Sequence, residues 1–130
     1  MNTPSQTTTS LEALNRQQFI NLTTFRKNGV GVTTPVWFAL ADGRILGTTQ
    51  AQTGKVKRLR NNPKVSFAPC TMSGKPLGEA SQGKGRLLPA EESAAADEAL
   101  KRKYGLQYRA LVWMAKLRGS KEMFWEVIPD

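Results

Sequence analysis

Between Gly43 and Gly78 the chain carries no acidic residue, and within that window Lys55, Lys57, Arg58 and Arg60 fall inside six positions. Four cations so placed have nothing local to neutralise them. On a helix the pairs Lys55/Arg58 and Lys57/Arg60 are neighbours at i,i+3, and like charges at that spacing are mildly destabilising unless a counter-charge is supplied. Thr53-Gly54 reads as a helix entry, with the threonine hydroxyl able to cap free N–H groups, and Pro63 stops the helix after about two turns. Val56 and Leu59 then face the core, which leaves the basic side chains around the rim and at the amino end. Unpaired N–H groups and the positive pole of the helix dipole converge there, an arrangement that suits a phosphate or carboxylate. The plainer alternative is a solvated basic helix on a protein of net charge +9.

Gly47 to Lys55 superficially looks like a nucleotide-triphosphate loop. Six residues rather than four separate its glycines, however, and Val56 stands where a metal-binding Ser or Thr is needed, so that reading is rejected. The chain has no histidine and a single cysteine, Cys70. Ser-His and Cys-His nucleophilic pairs, an internal disulfide and a conventional zinc site are thereby excluded. If the chain is an enzyme, the expectation is that a group other than its side chains does the chemistry.

The elements that must position this cluster can be read in order. Residues 1 to 10 are polar and read as a flexible tail, followed by one domain over residues 11 to 130 that opens with a short helix capped by Ser10. Phe19 to Phe25 is a strand, and Asn28-Gly29 is a hairpin turn in which both residues are expected at positive φ. A second strand runs from Val30 to Leu40, with Pro35 marking an edge, a bulge or a backbone stretch that faces a ligand. Asp42-Gly43 turns into a third strand, Ile45 to Gln50. After the basic helix come strands at Lys64 to Ala68 and Ala80 to Leu88, separated by a loop at Thr71 to Gly78. Gly83 and Gly85 suggest strong bending. Pro89 opens an Ala-rich helix with acids in its first turn and Lys101, Arg102 and Lys103 in its last, and Gly105 ends it. Leu106, Ala110, Trp113, Met114 and Leu117 share one face of a following helix. Met123 to Ile128 is the closing strand. The fold class is therefore mainly β within α+β: about six curved antiparallel strands with short flanking helices, forming a small barrel. The absence of a long apolar run and of a secretory signal points to a cytoplasmic protein with no membrane partner.

Three segments carry a resemblance to a known family: Leu22 to Gly29, Thr34-Pro35-Val36-Trp37-Phe38, and Thr53 to Val65 with Ala68-Pro69-Cys70. Together they resemble the pyridoxamine 5′-phosphate oxidase-like split β-barrel proteins, and more narrowly the branch of flavin- or deazaflavin-dependent oxidoreductases. The resemblance implies a homodimer that holds FMN or coenzyme F420 in a groove between subunits and acts on a small-molecule redox substrate. It places Lys55, with Thr53 and the Gly54 amide, at the cofactor phosphate, and Lys57 and Arg58 at the phosphate or at the anionic tail of the deazaflavin. Thr48 and Thr49 would lie against the cofactor, and the Pro35-Val36-Trp37 backbone would line its ring. The chain stops at Asp130 without the segment that grips pyridoxal-type substrates in the parent oxidases, so vitamin B6 oxidation is not expected. Two other classes remain open at this point: a carrier that binds the cofactor without turnover, and a basic binder of nucleic acid or another polyanion, which no recognised motif supports.

Overall fold

A computed structural model describes residue 11 and residues 13–130. The expected tail over residues 1–10 and the Ser10 cap lie outside the described residues. Seven strands form one antiparallel sheet that curls into a split barrel. In chain order they are β1 (Phe19–Phe25), β2 (Gly31–Val36), β3 (Ala39–Ala41), β4 (Arg44–Gln50), β5 (Lys64–Cys70), β6 (Ser81–Leu88) and β7 (Glu122–Pro129). Helix α1 (Gly54–Asn61) joins β4 to β5, while α2 (Ala94–Tyr104) and α3 (Leu106–Leu117) join β6 to β7. The spatial order β2-β1-β5-β6-β7-β4-β3 places β7 beside β4, so the last strand of the chain supports the strand that leads into the basic helix.

Strand alternation divides the apolar residues between two cores. Ile20, Leu22, Ile45, Val65, Trp125 and Val127 point into the curl, where Leu59 of α1 closes it. Leu46 and Leu88 point the other way and pack under Ala96, Leu100, Tyr104 and Tyr108 of the two long helices. Tyr104 ties the layers together: its hydroxyl accepts the Phe38 N–H at 3.0 Å and lies 2.7 Å from the Gln18 carbonyl.

Several expectations are corrected. The strand expected from Val30 to Leu40 is two strands broken at Trp37-Phe38, because the chain must cross from one edge of the sheet to the other. Pro35 lies in edge strand β2 opposite Asn21, where a missing donor costs no ladder bond. In the first hairpin only Gly29 has positive φ (89°), and the Asn28 carboxamide instead accepts the Val30 N–H at 3.0 Å. The double positive-φ turn is Asp42-Gly43, at 54° and 73°. The helix expected to open at Pro89 begins as a 3₁₀ turn (Ala90–Glu92), and α2 proper follows Ser93. Glu92 therefore serves the sheet, accepting from Arg86 at 2.6 Å. Lys103 does not complement the end of α2: its amine lies 3.5 Å from the centre of the Phe38 ring, where burial lowers its pKa to about 8. Among the described residues no helix is long and apolar enough to cross a membrane.

Candidate functional site

Helix α1 is short because Pro63 cannot continue it and Asn62 turns outward, its carboxamide accepting the Lys64 N–H at 3.0 Å. Val56 and Leu59 anchor it to the curl, as their spacing predicts. Thr53 occupies the N-cap position with extended backbone, but its hydroxyl does not cap: it donates to the Gln50 carbonyl at 3.1 Å and lies 3.2 Å from the Thr49 hydroxyl. The first turn also contains no acidic residue, so no side chain offsets its positive pole.

Lys55 stands in that turn and is only 9% exposed. Among the described residues no carboxylate lies within ion-pair distance of it. Burial, and then repulsion from Arg58, lowers its pKa to about 8. A buried cation without a counter-ion is costly, and proteins retain such groups mainly where something is bound or transformed. Arg58 folds back over the helix start. A Cβ on Gly54 would lie 2.7 Å from an Arg58 guanidinium nitrogen, so glycine keeps that space open, and Arg58 Nε donates to the buried Thr24 hydroxyl at 2.6 Å. Burial and then the charge of Arg26 pull the Arg58 pKa down. The structure thus brings together Lys55, Arg58 and Arg26, while Lys57 and Arg60 point into solvent. Arg26 was not singled out as a site residue; its signal was its position directly after β1 in the segment Arg26-Lys27.

Thr48 and Thr49, being consecutive on β4, face opposite sides of the sheet. Thr49 joins Thr53 on the α1 side. Thr48 faces α3 and donates to Glu122 at 3.0 Å, with the Met123 carbonyl as a second acceptor at 3.1 Å. A cavity of about 150 Å³ opens there, lined by both threonines, Leu111, Met114, Arg118 and Glu122. It shares Gln50 and Arg118 with a neighbouring hollow of about 310 Å³ along Ala51-Gln52 and Gly119 to Lys121. Burial raises the Glu122 pKa. Glu122 reaches this place through the β4–β7 register, which pairs it with Gln50, and Arg118 as the residue that ends α3; no local spacing announces either.

Pro35 and Val36 lie toward the Ile20 end of β1, whereas Arg58 grips Thr24 at the other end. Four residues of strand separate them, roughly 13 Å. Pro35 is exposed and Val36 half-buried. The Trp37 ring turns away to stack on Tyr104 at 4.4 Å and 8°, so its side chain is a packing element of the helix layer.

The profile of the pyridoxamine 5′-phosphate oxidase family matches residues 7–129. No curated protein matches the sequence. Among solved structures, a conserved hypothetical protein from Mycobacterium tuberculosis is 19% identical, covering 99% of this chain and 81% of its own, with a TM-score of 0.69. The heme storage protein HutZ from Vibrio cholerae is 12% identical, with 92% and 87% covered and a TM-score of 0.70. An FAD-binding protein from Mesorhizobium loti is 16% identical, with 95% and 88% covered and a TM-score of 0.66. Likeness at such identities is likeness of fold. The profile match over nearly the whole length, joined to seven antiparallel strands in a split barrel, makes this chain a member of the pyridoxamine 5′-phosphate oxidase family.

Proposed function

We propose that this protein is an oxidoreductase that holds coenzyme F420 or FMN between two copies of the chain and passes hydride between that ring and a small organic substrate. The observation that carries the reading is Lys55, a buried cation that has no carboxylate partner among the described residues and stands at the uncapped start of a helix. Its residues fit an anionic handle. Lys55 and the first-turn N–H groups would hold a phosphate, with Thr53 beside them and Arg58 and Arg26 closing the far side. Lys57 would serve an extended acidic tail, which favours F420 over FMN. Thr49, on the same face as Thr53, and the Pro35-Val36 backbone would flank the ring. When bound, such a ring supplies the hydride chemistry, and the protein supplies binding, orientation and electrostatics. The FAD-binding relative supports a flavin-type ligand in this fold.

A second reading, a carrier without turnover, is favoured by the heme storage relative. Here the ligand would again be flavin-like, since a chain with no histidine lacks the commonest protein ligand to heme iron. The polyanion reading has no comparable local support.

Spectral titration of the purified protein with FMN, F420 and hemin, followed by a screen of reductants and acceptors, tests the proposal. Saturable binding of F420 or FMN that changes little between low and moderate salt is expected, because few phosphates are engaged. Failure to bind either one, or steep salt-dependent binding of oligonucleotides instead, would overturn it. Tight binding without turnover in any acceptor screen would favour the carrier.

A further inference from the structure

Helix α3 buries one face and presents another that none of the described residues covers. Tyr108 is its only fully buried side chain, and Val112 and Ala115 on the same side are half-buried. At 100° per residue, Leu106, Ala110, Trp113, Met114 and Leu117 fall within about 100° of arc on the opposite side; Met114, at the edge of the stripe, also lines the cavity against β4, and the others point away from the protein body. Leu106 is 82% exposed, Leu117 68% and Trp113 63%. Arg109 and Lys116 run along one flank of this stripe and Arg118 along the other, and all three are exposed. Among the described residues none of the three has an ion-pair partner. From Ala99 to Lys121 the chain holds seven Lys and Arg and no acid.

We infer that α3 is an interfacial helix that docks the protein on an anionic lipid surface, lying in the headgroup layer with Leu106, Trp113 and Leu117 inserted. An apolar stripe flanked on both sides by cations, with an aromatic ring at its centre, matches a bilayer boundary, where apolar groups meet acyl chains and cations meet lipid phosphates. The charge argues against a second copy of the chain as the occupant. Packing two such stripes together would gather Arg109, Lys116 and Arg118 of both copies at one seam, with only the half-buried Asp97 and Glu122 of each copy near them. The inference does not depend on the proposed redox function, and it revises the expectation of no membrane partner: the chain would lie on a membrane without crossing it.

The test is co-sedimentation with vesicles of phosphatidylcholine containing 30% phosphatidylglycerol, against pure phosphatidylcholine, with tryptophan emission read in parallel. Trp125 is buried and Trp37 is stacked, so Trp113 dominates any lipid-induced change. Binding to the anionic vesicles with a blue shift is expected, and at least a tenfold loss in Trp113→Ser/Leu117→Gln, which keeps the net charge and leaves the buried face intact. Arg109→Gln/Lys116→Gln should weaken binding several-fold. Absence of binding, or binding that survives Trp113→Ser/Leu117→Gln unchanged, would overturn the proposal. So would a dimer in sedimentation velocity that the same variant converts to monomer.

Discussion

Replacing Lys55 by methionine is expected to make the ligand-free protein more stable while weakening cofactor binding at least tenfold. Two effects with opposite signs meet at one atom. Without ligand, the buried ammonium disfavours the native state: its folded pKa is about 8 against 10.5 unfolded. Between those values the native state binds fewer protons than the unfolded chain, so this group's contribution to stability improves as pH rises from 8 to 10.5, and below pH 8 its full cost is present. Methionine fills nearly the same volume without the charge. Allowing for local relaxation, the gain at pH 7 should be on the order of 2 kcal/mol and should disappear near pH 10.5. With ligand, the same change removes a charge-assisted hydrogen bond worth about 1.5–3 kcal/mol, roughly a 10- to 150-fold loss of affinity. Urea unfolding across pH, paired with cofactor titration, reads both. A lysine that only decorated the surface would move neither. Lys57→Met, at an exposed position, should leave stability unchanged and affect affinity several-fold at most.

Gly47→Ala is expected to destabilise the fold by about 3 kcal/mol. Gly47 lies on β4 directly opposite Trp125 on β7. A Cβ there would overlap the Trp125 indole. The indole cannot retreat, because it is fully buried in the curl among Ile45, Leu59 and Val127. Nor can the strands part, since six consecutive pairs join β4 and β7 from Ile45 to Gln50. Trp125→Phe in the Gly47→Ala background should recover part of the loss by returning the space. Because Thr49 and the Gln50 carbonyl that hold Thr53 follow Gly47 on the same strand, loosened cofactor binding should accompany the lowered urea midpoint. A stability change under 0.5 kcal/mol would show that the glycine is not required for the indole.

These positions also show how much the sequence disclosed. Strand alternation and turn residues outlined the elements, and the lone run of cations without acids pointed to α1. That signal was local, and it survived folding. What stayed hidden depended on direction or distance. Thr48 and Thr49 were expected against the cofactor; as consecutive strand residues they point to opposite faces, and Thr49 is the one that shares a side with Thr53. Trp37 was expected beside a ligand ring through its backbone; its side chain was captured by Tyr104, whose partner is invisible until α2 packs. Thr53 had the right residue type for a cap, yet its hydroxyl found the Gln50 carbonyl first. Arg118 and Glu122 could not be seen at all, because Glu122 reaches β4 through pairing between distant strands and Arg118 through the end of α3. The turns divide in the same way: Asn28 satisfied its hairpin through its side chain, whereas Asp42 accepted positive φ.

The central claim is that the ammonium of Lys55 is held ready for the anionic end of a redox cofactor. The direct measurement is the pKa of its side chain, followed by the carbon shift next to the amine in selectively labelled protein, with and without saturating F420 or FMN. A value near 8 that rises by at least one to two units when the cofactor binds is the expected result. A cofactor that binds tightly while Lys55 continues to titrate near 8 would contradict the account.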